Sequence, residues 1–174
     1  MQQTLIRKAF NYYNSNISGK SFRIVFGNSS GFKHEIVVRF SSNHFKHLFG
    51  FQYLKDIAVS KMSPKTLYYN LTQKNITQED IEKSAFYADI ESRLKNYKRI
   101  IEIIKNGKVV YDGPSRFLGI EANYLMYIFD SGILYHLFYI QTGTIYTPCS
   151  FFPRNNPDYI KGHKMFSVIS CTPC

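Results

Sequence analysis

The last third of the chain limits the fold most. Aromatic and β-branched runs there are cut at short intervals by turn dipeptides, a pattern that fits strands and not helices. Ala122 to Asp130 and Ile133 to Gln141 flank Ser131-Gly132, a hairpin signal. Thr142-Gly143 turns the chain into a third run, Thr144 to Phe152. Asn155 to Gly162 reads as a loop, and Lys164 to Ser170 as a final strand. With 14 Tyr, 15 Phe and no Trp, all aromatic packing in these strands falls to Tyr and Phe.

The preceding sequence supplies helices and one more hairpin. Gln3 to Asn14 places Leu5, Ile6, Ala9, Phe10 and Tyr13 on one helical face, and Ser18-Gly19 ends it. Ser21 to Gly27 and His34 to Phe40 read as strands around the turn Asn28 to Gly31. Ser42 to Leu48 is a short helix or tight turn closed by Gly50. Ser63-Pro64 is a strong helix start, and Thr77 with Asp80 resembles a capping box. Asp89 to Lys105 predicts one long helix with the stripe Ile90, Leu94, Tyr97, Ile101 and Ile104, and Gly107 sits where a left-handed cap belongs. The expected class is α+β: an N-terminal helix and β-hairpin, a helical insert at about 63–106, then an antiparallel β-meander. At 174 residues the chain is expected to form a single domain over 1–174.

Charge narrows the partners. The 22 Lys and Arg against 12 Asp and Glu give a net charge of +10, a field that attracts polyanions. Nucleic acid fits better than a membrane surface, because no basic amphipathic helix stands out. No apolar run approaches the ~20 residues of a membrane span, and Met1 to Phe10 lacks the apolar core of a signal peptide. A cytoplasmic protein is expected.

Several groups could carry chemistry. Metal-dependent nucleases need clustered carboxylates, whereas Asp56, Glu79, Asp80 and Glu82 are scattered or suit a helix start. No cofactor motif is visible. Metal-free RNA cleavage asks for a base at the 2′-OH, an acid at the leaving 5′-oxygen and cations around the phosphorane. His44, Lys46 and His47 lie in the densest stretch of suitable groups; His47 reads either as an acid or base or as a structural histidine at a turn. Arg93, Lys95, Lys98 and Arg99 interleave with an apolar stripe and read either as phosphate ligands or as a solvated face. Tyr146, Ser150 and Arg154 close a strand and open a loop, where sites are often built; the structural alternative is a loop pinned by Pro148 and Pro153. His136, between apolar neighbours, reads as a core residue. Cys149, His163, Cys171 and Cys174 have the composition of a zinc site, but the second Cys-x-x-Cys such a site often uses is missing, and the tail is expected to fray.

The order of these pieces resembles a known family. Phe45-Lys-His-Leu-Phe-Gly50, the Arg93-Leu-Lys95 helix and Tyr146-Thr-Pro-Cys-Ser150 are similar to elements of the phage nuclease-like domains of the barnase–EndoU–colicin–RelE-like (BECR) group, fourth phage subgroup. The likeness covers about 21–170. It implies an RNase-like fold and a metal-independent endoribonuclease of phage or mobile-element conflict systems. Carried over, His47, Arg93, Lys95 and Ser150 would line the catalytic site, with His44, Lys46, Lys98, Arg99, Tyr146 and Arg154 binding nucleic acid. RNA is then the expected partner, with an antitoxin, an immunity protein or a host defence protein as a protein partner. A non-enzymatic inhibitor of a host defence system is the competing expectation. A DNA-binding regulator is weaker, since no helix-turn-helix spacing is present.

Overall fold

The computed structural model describes residues 3–117 and 119–174. The N-terminal helix α1, Leu5–Asn16, buries Ile6, Ala9, Phe10 and Tyr13, the face that its spacing marks. The hairpin follows as β1, Ser21–Gly27, and β2, Lys33–Arg39, paired antiparallel. Then come α2, His44–Leu48, a 3-10 turn at Phe51–Tyr53, α3, Ala58–Lys61, α4, Pro64–Thr72, and α5, Gln78–Glu82. Both expected helix starts have their caps. Ser63 Oγ accepts from the Thr66 amide, and Thr77 and Asp80 form a reciprocal capping box.

The expected long helix is two helices, α6, Tyr87–Lys95, and α7, Arg99–Asn106. The break has a local cause. The Asn96 side chain donates to the Ser92 carbonyl at 2.8 Å, and its backbone amide donates to the same oxygen. The bend lets α6 lie against one strand of the sheet and α7 against others, a division that one straight helix could not make. Gly107 is not left-handed either, with φ −70° and ψ 167°. Glycine is needed there for close approach: a Cβ would lie 2.4 Å from the Ile103 carbonyl oxygen.

Four strands then run as a meander: β3, Lys108–Phe117, β4, Ile120–Asp130, β5, Ile133–Thr142, and β6, Ile145–Arg154. The last strand, β7, Met165–Pro173, pairs antiparallel with both β1 and β3. The sheet closes into a barrel in the order β1-β2-β6-β5-β4-β3-β7, with one parallel contact, Val38 opposite Tyr146, joining β2 to β6. Strand β3 lies where no strand is expected. The register jumps between Tyr111 and Ser115, so Gly113-Pro114 falls in a bulge of this strand. The tail does not fray: Cys174 donates its backbone amide to the Ser21 carbonyl at 3.1 Å.

Two apolar clusters result. The larger joins the helices to the hairpin and to one face of the meander, through Tyr135, Leu137, Tyr139 and Phe151 among others. The smaller collects Val110, Leu125, Tyr127, Leu134, Phe138 and Tyr159 on the other face, with Phe152 and Cys149 at its margin. His136 is fully buried, with its ring against Phe138, Phe152 and Tyr159. No helix among the described residues is long and apolar enough to cross a membrane.

Candidate functional site

A cleft of about 580 Å³ opens between α6 and the end of β6. Asp89, Ser92 and Arg93 line it from α6, and Gln52 and Tyr53 from the 3-10 turn. Cys149, Ser150, Phe152, Pro153 and Arg154 face them from β6. The start of β4, Ile120 and Glu121, and Tyr159 from the loop before β7 complete the walls.

Local sequence explains much of this geometry. Gly50 follows α2 with φ +79°, a left-handed conformation that glycine adopts without penalty. A Cβ there would meet Ile90, Tyr53 and Arg93 at 3.0–3.2 Å. The bare backbone therefore lets the Tyr53 turn and the Arg93 helix close on the same point. On β6 the register shifts between Phe138 and Tyr139, which face Ser150 and Pro148. Cys149 is thus the extra residue of a bulge beside a proline that cannot donate to the ladder. Strict alternation would send Cys149 and Ser150 to opposite faces; with the bulge between them, both reach the cleft.

Arg93 is the buried cation of the site, only 8% exposed. Its guanidinium carbon lies 5.0 Å from the Tyr53 ring centroid and 5.3 Å from that of Phe152. It donates to the Leu48 carbonyl at 3.5 Å. Burial pulls its pKa down, while Tyr53 and Asp89 favour the charged form. Arg154 is exposed and stacks over Tyr159 at 5.1 Å. Two guanidiniums therefore present N–H donors to one concavity, joined by the Ser150 and Ser92 hydroxyls and faced by the carboxylates of Asp89 and Glu121.

Of the four residues expected to meet at a phosphate, Arg93 and Ser150 line this cleft, and Arg154 joins them. His47 and Lys95 are not among the lining residues. His47 is exposed on α2, one residue from the Leu48 carbonyl that Arg93 binds; partial burial and then Lys46 lower its pKa. Lys95 is exposed and paired with Glu91 at 2.9 Å. Lys98 is exposed beside the Tyr97 ring. Arg99 is held by Glu102 at 2.5 Å and by Asp130, and stacks on Tyr135.

Lys46 is buried and donates to the Ser60 and Met62 carbonyls at 2.7 and 2.6 Å, so its ammonium ties α2 to α3. His44 accepts the Ser41 amide on Nδ1, and burial together with His47 pushes its pKa down to about 4. Tyr146 packs edge-on against Tyr124. Among the described residues no three His, Cys, Asp or Glu side chains group so as to hold a metal ion, so Cys149, His163, Cys171 and Cys174 do not make one site.

Gln52, Tyr53, Asp89, Glu121, Phe152 and Tyr159 are lining residues that the sequence motifs pass over. The one available hint is that Gln52 and Tyr53 directly follow the Gly50 element.

The family described as phage-Barnase-EndoU-ColicinE5/D-RelE like nuclease4 has a model that matches residues 5–170. No curated protein matches the chain. No solved structure matches it either.

Proposed function

The chain belongs to this phage family of nuclease-like domains, related to barnase, EndoU, colicin and RelE, and on that footing we propose that it is a metal-independent endoribonuclease acting as a toxin or phage effector. The observation that carries the reading is the convergence of Arg93, Arg154 and Ser150, from distant parts of the chain, on one cleft. In this reading the two guanidiniums hold the scissile phosphate and stabilise the charge of the phosphorane, and Ser150 orients a phosphate oxygen. The surplus of basic residues draws RNA to the surface.

The remaining need is a base for the 2′-OH. His47 stands outside the lining, and Asp89 lies one helical turn before Arg93, whose charge it supports. Glu121 is the other carboxylate on the wall, so the proton falls to it. The 2′-oxygen then attacks phosphorus, the bond to the 5′-oxygen breaks, and water protonates the leaving oxygen; the hydroxide so formed takes the proton from Glu121 and restores the carboxylate.

The test is cleavage of single-stranded RNA in EDTA by Glu121→Gln and His47→Ala. Removing a general base slows the reaction about 10²–10⁴-fold. That loss is expected in Glu121→Gln, with His47→Ala close to the parent. The opposite pattern returns the role to His47, and intact RNA with the parent protein removes the nuclease reading. The protein partner expected of such a toxin, an antitoxin or immunity protein, would be sought by co-purification.

A further inference from the structure

We infer that Gln52 and Tyr53 form a nucleobase subsite beside the phosphate cleft, so that the substrate is an unpaired nucleotide chosen by its base; this rests on the nuclease reading of the same cleft. The Gln52 Oε1 is shut off from solvent and has no hydrogen-bond partner. Buried polar atoms are nearly always paired, and an unmet acceptor destabilises the fold. The other such atoms among the described residues, on His136 and Tyr139, do not line the cleft, whereas Gln52 does. Gln52 lines the cleft, so a turn of its side-chain amide brings this unmet acceptor to a ligand that offers an N–H or O–H.

The phosphodiester backbone of DNA offers no such donor. A ribose hydroxyl or a base edge does, and the neighbouring residue chooses between them. Tyr53 is 38% exposed at the same wall, although Tyr is a large ring. Its position is fixed by Gly50 behind it and by the Arg93 guanidinium stacked against it. A fixed, accessible ring beside an unpaired amide provides the two things that hold a splayed-out base: a surface for stacking and a polar group for its edge. Arg154 and Ser150, on the facing wall, are placed to take the adjoining phosphate. A base still paired and stacked in a duplex cannot present both its face and its edge there.

The experiment maps cleavage sites in a single-stranded RNA of mixed sequence, in EDTA, for the parent protein, Gln52→Leu and Tyr53→Ala, with the annealed duplex as a second substrate. Melting temperatures are followed in parallel. The expected result is a preference for one base at a fixed position beside the cut, about tenfold or more by the usual worth of a base-edge contact. Gln52→Leu should flatten that preference at an unchanged or raised melting temperature, Tyr53→Ala should lower kcat/KM about tenfold, and the duplex should resist.

Absence of any base preference, its survival in Gln52→Leu, or equal cutting of the duplex would overturn the inference. Binding of uncleavable 2′-O-methyl oligonucleotides separates this inference from the nuclease reading. Base-dependent affinity lost in Gln52→Leu supports the subsite even where no cleavage is seen, and base-independent affinity refutes it.

Discussion

Arg93 packs its guanidinium against the ring of Tyr53, at 5.0 Å from carbon to centroid, and both side chains crowd the bare backbone of Gly50. This contact joins the element after α2 to the helix α6 and sets one wall of the cleft. A guanidinium has five N–H donors in a planar fork, so one held against a ring and a carbonyl still has donors for an anion, which a lysine cannot imitate.

Arg93→Lys should therefore lose much of the cleavage rate, about 10–100-fold if a charged hydrogen bond to phosphate is weakened, while remaining folded. Arg93→Ala should also lower stability, because it leaves a void between Tyr53 and Phe152. Initial rates and melting curves on both variants check this; a fully active Arg93→Lys contradicts it.

Gly50→Ala should destabilise the protein. The left-handed backbone costs a Cβ about 1–2 kcal/mol, and contacts at 3.0–3.2 Å add to that. Chemical denaturation should show the loss, and RNA affinity should fall with it as Tyr53 and Arg93 shift.

Much of the fold is legible in the sequence, because its cues are local. Ser131-Gly132 marks one hairpin and Thr77 with Asp80 one helix start, and both stand as expected. The misses are places where two cues compete. Strand β3 carries Gly113-Pro114, which breaks the strand pattern and lies in a bulge, and the Asn96 back-bond splits a continuous apolar stripe. Of the site, Arg93, Ser150 and Arg154 carry a visible signature as cations and a hydroxyl near strand and helix ends. Glu121 and Gln52 do not, since only barrel closure and the turn after Gly50 bring them to the cleft. Basic residues such as Lys46 and Arg99 cannot be sorted by type alone, because ion pairs and burial decide what each one does.

Stability should fall as the medium is acidified through the range between an ordinary histidine pKa and about 4. Burial pushes His136 down to about 4, and burial with His47 does the same for His44. Each is held neutral in the folded state and takes up its proton more readily when unfolded. Their contribution is therefore fully present above pH ~6.5 and is lost as pH drops toward 4, on the order of 2 kcal/mol per group. Urea denaturation at pH 7.5 and pH 4.5 should show the loss, and His136→Phe should reduce it.

Lys46→Met should cost about 1–3 kcal/mol, since two inward-facing carbonyls lose their donor. The same change should leave the salt dependence of RNA binding unaltered, because this ammonium is committed to the protein. A decrease in the salt slope would show instead that Lys46 meets phosphate.

The most direct measurement is the initial rate of single-stranded RNA cleavage in EDTA by the parent protein and by Arg154→Ala. Arg154 is exposed and stacks over Tyr159, so its removal should leave the fold intact. The expected result is cleavage by the parent and a rate about 10–100-fold lower in Arg154→Ala. An inactive parent protein, or an Arg154→Ala variant as fast as the parent, would contradict the assignment of this cleft as the site of RNA cleavage.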